Sequence, residues 1–339
     1  MKTLRFTIPL FIVFFVGYLV ISVGGAGVGT LATSGSTLSL TPAAQAAALT
    51  SGDDSLADAA LPDQSEAIIS NDPYLGNQWP LSQLQMTDLW QTASGGSGVL
   101  VAVLDTGIDQ DHEDLAGKVI IEINLSGSPT SDDVYGHGTH VAGIIAAYSN
   151  NGLGIAGLAP ESWLMNIKVA GDGGLCQASI LAMGIIWAVD NGANVINISI
   201  ELREPSAELE EAINYAWDSG AVIIAAAGNE GTSSPVYPAY YENCIAVAAT
   251  TEDDTLAPLS NYGDWVDVAA PGFNIYSTLP DDDYGYKSGT SFACAHVSGL
   301  AALLFNMVSD TNGNGRLNDE VREALENGYL QIGIGGAGQ

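Results

Sequence analysis

Positive charge is scarce in this sequence. Eight Lys and Arg stand against 39 Asp and Glu in 339 residues, for a formal net charge of −31. Nucleic-acid backbones are held by Lys and Arg in number, so a nucleic-acid partner is excluded. Charge-driven docking on an anionic membrane surface fails for the same reason. Histidine is also sparse. His112, His137, His140 and His296 are the whole supply, which shortens the search for a base working near neutral pH. Cysteine is limited to Cys176, Cys244 and Cys294. An odd count leaves at least one thiol unpaired within the chain; one bridge is possible, and no spacing says which. No Cys-x-x-Cys occurs, so neither a zinc knuckle nor a redox motif is supported. No internal repeat is visible, and the 40 glycines and 13 prolines follow no collagen-like period.

What is present is a chain that is 47% hydrophobic, enough for a large core and too much for intrinsic disorder. The length suits two ordinary domains or one large α/β domain. Lys2 and Arg5 precede an apolar run over 6–23. A basic stretch before an apolar one reads as an export signal. The run is long for a cleaved signal, so a retained membrane anchor stays open. Ala44-Gln45-Ala46 has the small-x-small form of a cleavage site but lies well beyond the run. Residues 1–29 are thus expected to be a signal peptide or anchor. Residues 30–70 form a low-complexity, then acidic, linker, 71–330 the folded body, and 331–339 a flexible tail. Secretion or residence in the cell envelope follows.

The body alternates strand and helix signals. A continuous apolar run predicts a buried strand over 99–104, and strand-like apolar stretches mark 164–169, 195–200, 221–227 and 245–249. Helical periodicity marks 137–148, 180–189, 207–218 and 291–308, with Asn191-Gly192 and Gly220 as stops. Such alternation implies an α/β fold, a mostly parallel central sheet with helices on both faces. Active groups then belong at the carboxyl ends of the strands.

Four segments each deliver one reactive polar group. Asp105 ends a strand in Leu104-Asp105-Thr106-Gly107; it is either a turn residue or the orienter of an imidazole. Burying such a carboxylate requires strong hydrogen bonds. An Asp-Thr-Gly also suits an aspartic protease, but the second loop that would need, Trp217-Asp218-Ser219-Gly220, reads as a helix stop. His137 and His140 share Gly136-His137-Gly138-Thr139-His140. No acid stands between them as a zinc-protease helix requires, and Gly138 leaves room for another chain beside His137. His140 is expected to be a packed structural residue. Ser291, after Gly289, falls at the start of a long helix, where free N–H groups favour an anion; a plain N-cap is the alternative. Asn229 ends a buried strand, and its amide could donate to a developing oxyanion.

Acid, imidazole, amide and hydroxyl together are far more specific than any one of them. The segments Val101–Asp109, His137–Gly143 and Gly289–Ala293 resemble the three catalytic blocks of the subtilisin-like serine proteases, in that family's order. Asn71-Asp72-Pro73-Tyr74, Asp114–Val119, Gly154–Gly157 and Tyr237–Tyr241 are similar to its thermitase-like branch. The likeness runs from about 71 to 327. It implies a subtilisin-like three-layer fold, a catalytic domain over 71–330, and an exported endopeptidase that acts as a monomer on proteins or peptides. Asp105, His137 and Ser291 would be the triad and Asn229 the oxyanion donor.

Substrate would lie extended between two edge segments, 171–174 with Gly173 and Gly174, and Ser199-Ile200-Glu201-Leu202. The family has glycines where this chain has Glu201 and Leu202, so the pocket should be narrowed, and Glu201 could favour a basic side chain. Ala295 replaces a family proline, and Cys294 a small residue. The resemblance also implies a structural calcium ion held by Asp72, Asp114 and Asn151 with carbonyls from Tyr148, Leu153 and Ile155, an apt set of hard oxygens.

Separately, Asp310-Thr311-Asn312-Gly313-Asn314-Gly315 reads like the start of an EF-hand loop, with Val321 at its last position and Glu320 one early. The plainer reading is an Asn/Gly loop with Asn318 capping a helix. The family usually carries a folding prodomain, and 30–70 is too short and polar for one; unassisted folding or a truncated product is expected. The rival class is a catalytically impaired subtilase-like binding protein with a blocked pocket.

Overall fold

Runs of Val, Ile, Leu and Ala become the strands of one parallel sheet. A computed structural model of the chain describes residues 70–84, 86, 89, 90 and 94–327. The readings of 1–29 as leader, nearly all of 30–70 as linker and 331–339 as tail lie outside the described residues. The strands are β1 (Leu100–Asp105), β2 (Val119–Asn124), β3 (Trp163–Lys168), β4 (Val195–Ile198), β5 (Val222–Ala226), β6 (Ile245–Thr250), β7 (Val268–Pro271), β8 (Ile275–Leu279) and β9 (Asp283–Lys287). The first seven form a parallel sheet in the order β2-β3-β1-β4-β5-β6-β7, and β8 and β9 form an antiparallel pair. The helices are α1 (Trp79–Gln83), α2 (Gly138–Ala146), α3 (Ala178–Asp190), α4 (Ala207–Asp218), α5 (Thr290–Leu304) and α6 (Asn318–Asn327).

The period of two along β1 sorts its side chains between two cores. Val101 and Val103 join a cluster with Val141 and Ile145 of α2, Val297 and Leu300 of α5, and Val321 and Leu325 of α6. Ala102 and Leu104 join Leu181 and Ile185 of α3 and Leu209 and Ile213 of α4 on the opposite face. Both faces of the sheet are therefore covered, as an all-parallel sheet demands. Continuing the alternation puts Asp105 on the α2/α5 side at the carboxyl end of β1. The chain leaves β1 toward the β2 edge and β4 toward the β7 edge, so a switch in connection direction opens between these neighbours.

Helix α5 is buried at every residue, which explains its run of small and apolar side chains. Ser206 caps α4 by accepting from the Leu209 N–H at 3.3 Å, with Glu208 and Glu210 in its first turn. Gly192 and Gly220 take positive φ, +88° and +95°, at the stops of α3 and α4. β2, β7 and the β8–β9 pair go beyond the strands read from sequence. Asn318 is the first residue of α6 rather than its cap, and its amide donates to the Trp217 carbonyl at 2.9 Å. Cys176, Cys244 and Cys294 are all free thiols; Cys244 and Cys294 belong to the cores on opposite faces of the sheet.

Helix α2 packs on β8 through Gly143, where a Cβ would fall 2.2 Å from Thr278 Oγ1 and 2.6 Å from Ser277 Oγ. Those hydroxyls donate to the Thr139 and His140 carbonyls at 2.7 and 2.9 Å. Gly143→Ala is therefore expected to lower stability by about 1–3 kcal/mol, the usual range for overpacking, in a thermal or denaturant melt.

Candidate active site

The end of β1 and the start of α2 meet as an acid and an imidazole. Asp105 is 1% exposed, and its Oδ1 lies 2.7 Å from His137 Nδ1. The same oxygen accepts the Thr106 N–H at 2.7 Å, while Oδ2 is buried without a partner. Burial alone would push the His137 pKa down; the Asp105 charge and hydrogen bond outweigh it and hold the imidazole above its ordinary value. The Asp105 contact also fixes the tautomer, leaving Nε2 as the free nitrogen. His112, His140 and His296 are buried, whereas the His137 side chain keeps 21% exposure. Burial depresses His140 to about 3 and His296 to about 4, so neither is charged near neutral pH.

Close approach makes the contact possible. A Cβ on Gly138 would fall 2.0 Å from the Gly107 carbonyl oxygen. Asp133, not singled out from sequence, ties the two loops together. Its Oδ1 accepts from Thr106 Oγ1 at 2.8 Å and the Gly136 N–H at 2.8 Å, and its Oδ2 accepts from the N–H and hydroxyl of Thr139 at 2.8 and 2.7 Å. Thr106 Oγ1 in turn accepts the Gly138 N–H at 3.0 Å.

Ser291 is the second residue of α5, where backbone N–H groups have no helical acceptor. Its hydroxyl donates to the Ser199 carbonyl at a long 3.4 Å, and Ser199 Oγ donates back to the Ser291 carbonyl at 3.1 Å. The segment after β4 thus lies against the start of α5. Asn229 is exposed beyond β5, with its side-chain oxygen accepting from Thr290 N–H at 2.8 Å and Thr290 Oγ1 at 3.2 Å. Those donors orient the amide and leave Nδ2 to donate elsewhere. The ring of Phe292 stands 5.5 Å from His137 and 4.5 Å from His140, which brings the start of α5 against α2.

A family model described as the subtilase family matches residues 96–328. The chain belongs to the subtilase family. It is 46% identical over 254 residues to a thermophilic serine proteinase of Bacillus sp. (strain AK1), covering 75% of this chain and 62% of that protein's length. It is 44% identical over 259 residues to thermitase of Thermoactinomyces vulgaris, covering 76% and 90%. Subtilisin BL of Lederbergia lenta is 42% identical over 255 residues, covering 75% and 92%.

In this subtilase the two expected substrate segments differ in form. Residues 171–174 make a tight turn, with the Gly174 N–H donating to the Gly171 carbonyl at 2.8 Å, so Gly173 and Gly174 are not extended strand. Leu175, just beyond, is 84% exposed, and Gly174 abuts the exposed ring of Tyr135. Neither apolar side chain stood out in the sequence. On the other side, Ser199, Ile200 and Glu201 run on from β4 to Leu202, which exchanges backbone hydrogen bonds with Tyr237 at 2.7 and 2.8 Å. Glu201 turns its carboxyl under Gly228, where a glycine Cβ would fall 2.8 Å from Oε2. Burial, then the neighbouring Glu230, push it up to about 7. Glu230 beside it pairs with Arg203 at 3.1 Å.

The residues proposed from sequence for calcium are drawn together by the loop after α2. Asp72 accepts the N–H groups of Asn150 at 2.8 Å and Asn151 at 3.0 Å. Asp114 accepts from Asn151 Nδ2 at 2.9 Å, the Ile155 N–H at 2.8 Å and the Tyr284 hydroxyl at 3.0 Å. Both carboxylates are buried, and burial raises the Asp114 pKa despite these donors. Among the described residues no donor reaches the carbonyl oxygens of Tyr148, Leu153 or Ile155.

Two outcomes are expected. Asp105→Asn should cut turnover by about 10⁴-fold, as in other triads. It should also move the acid limb of the kcat/KM profile, set above pH 6.5 by the raised His137, to lower pH. Glu201 binds its proton more tightly folded than unfolded, so stability falls as pH rises from near 4.5 through about 7. Glu201→Gln should flatten that fall, read from melting temperatures between pH 4.5 and 8.

Proposed function

We propose that this chain is an exported serine endopeptidase that cleaves proteins through an acyl-enzyme. The observation that carries this is the buried Asp105–His137 contact, 2.7 Å long, beside the free-N–H start of the helix bearing Ser291. Ser291 Oγ attacks the peptide carbonyl and its proton passes to His137 Nε2. Asp105 stabilises the imidazolium that forms, and its unpartnered Oδ2 adds uncompensated negative charge beside that cation. Asn229 Nδ2 and the Ser291 N–H receive the oxyanion; a single such donor contributes about 10²–10³ in rate. His137 returns the proton to the leaving amine, and water then attacks the acyl group by the same route. Subtilase membership and relatives named serine proteinases support this reading. Nothing in the site favours the impaired binding protein. Export rests on the basic-then-apolar N-terminus. Among the described residues no helix is long and apolar enough to cross a membrane.

Glu201 turns its carboxyl under Gly228, away from the open surface, and Glu230 beside it pairs with Arg203. We therefore propose that uncharged side chains are accepted ahead of Arg and Lys before the scissile bond. The earlier expectation of a basic preference gives way to this reading.

We further propose that calcium binds at Asp72, Asp114 and Asn151 with the carbonyls of Tyr148, Leu153 and Ile155. Two buried carboxylates that no Lys or Arg pairs among the described residues, beside three carbonyls with no donor among them, fit such an ion. The ion would hold this loop and perform no chemistry.

A fluorophosphonate should label the active chain and not Ser291→Ala; label or cleavage surviving in the variant overturns the assignment. A peptide library should rank Leu, Phe and Met above Arg and Lys before the cleaved bond. EDTA should lower the melting temperature and speed self-cleavage, and added calcium should reverse both.

A further inference from the structure

The loop leading into α6 takes no part in that chemistry. Residues 310–320 place oxygen-bearing side chains at Asp310, Asn312 and Asn314 with Gly315 next, the spacing of the first half of a calcium loop. Asp310 accepts the Gly313 and Gly315 N–H groups at 2.6 and 2.8 Å. Asn312 Oδ1 accepts Asn314 N–H at 2.9 Å, and Asn314 Oδ1 accepts Arg316 N–H at 2.7 Å. Such bonds occur in any Asn/Gly turn and show only how the loop is wound.

Glu320 is the deciding group. It is 9% exposed, and its Oε1 accepts from the N–H and hydroxyl of Thr311 at 2.8 and 2.9 Å. That pins the carboxyl inside the loop beside its second residue. Among the described residues its buried Oε2 has no hydrogen-bond donor. Asp319 lies against it and accepts from the side-chain amides of Asn312 and Asn314, the latter at 3.0 Å. Val321, in the last position of the loop pattern, is wholly buried against the core with Leu325. The core therefore takes the position where an EF-hand has its bidentate acid, and the acid one residue earlier faces the loop. The nearby guanidinium groups are engaged elsewhere. Arg316 donates to the Asp218 carbonyl, and Arg322 binds Glu326 and the Glu242 carbonyl. A buried carboxylate oxygen with neither donor nor counter-charge is costly, and a cation removes the cost.

We propose that the loop 310–320 binds one calcium ion through Asp310, Asn312, Asn314, Glu320 and the carbonyl of Arg316. All are hard oxygens, as calcium prefers. The ion clasps the start of α6, which is tied to the end of α4 through Asn318 and packs on α5 through Val321 and Leu325. This site depends on neither the triad nor the Asp72–Asp114 site.

The test uses the full chain carrying Ser291→Ala, so that it cannot digest itself. After stripping with EDTA and dialysis, calcium is titrated by calorimetry into this parent and into parents with Glu320→Gln, Asp310→Asn or Asp114→Asn added. Glu320→Gln keeps the shape of the side chain, and Asp310 is exposed, so neither should disturb folding. Each loop variant is expected to lose one calcium equivalent, or to bind it at least tenfold more weakly. Each should also show a smaller calcium-induced rise in melting temperature. Asp114→Asn should remove a different equivalent. Unchanged stoichiometry and affinity in both loop variants overturns the proposal, as does a parent that binds nothing beyond the equivalent lost in Asp114→Asn.

Discussion

A desolvated carboxylate at the end of the central strand is the constraint around which the site is built. Asp105 is almost wholly buried, and an unpaired charge there would cost several kcal/mol. His137 and the Thr106 N–H answer it on Oδ1 alone. Everything near it serves to hold that answer in place. Gly107 and Gly138 let two loops touch, Asp133 laces Thr106 to Thr139, and β8 presses α2 down through Ser277 and Thr278. The imidazole is thus held in one orientation by its surroundings.

The helix bearing Ser291 is a second packed body. Helix α5 is sunk in the core, and Asn197 of β4 accepts from Cys294 Sγ at 3.2 Å and Ser298 Oγ at 2.9 Å along its inner face. Thr290 joins the same helix to the turn carrying Asn229. Cys294, where the family has a small residue, is held by carbonyl acceptors and pushed up to about 12 by burial, so it stays a thiol. The two bodies meet at Phe292, whose ring touches both His137 and His140.

The central strands were legible because a parallel sheet covered on both faces needs apolar stretches: 99–104, 221–227 and 245–249 are unbroken runs, and 195–200 is broken only by Asn197 and Ser199. β2 was not, since Val119–Asn124 carries a glutamate and is only half-buried. β8 and β9 carry Tyr, Ser, Thr and Asp, whose strand character appears only once α2 lies across them. Asp105, His137, Ser291 and Asn229 could be named because each ends a strand or starts a helix beside glycine. Asp133 and Thr290 could not, because a carboxylate or hydroxyl in a loop announces no partner until tertiary contacts supply one. The turn at 171–174 in place of an extended segment, and Asn318 as the first helical residue in place of a cap, came from tertiary contacts of the same kind.

The contact between Gly107 and Gly138 reaches past the static picture. One backbone oxygen occupies the place where any other residue at 138 would have its first side-chain atom, and 107 sits at φ +111° with two carbonyls closing on it. Both positions are therefore closed to drift together. A saturation library across these loops, selected for any new specificity whatever, should return the same pair of residues it began with, while the exposed turn over 171–175 diversifies around them.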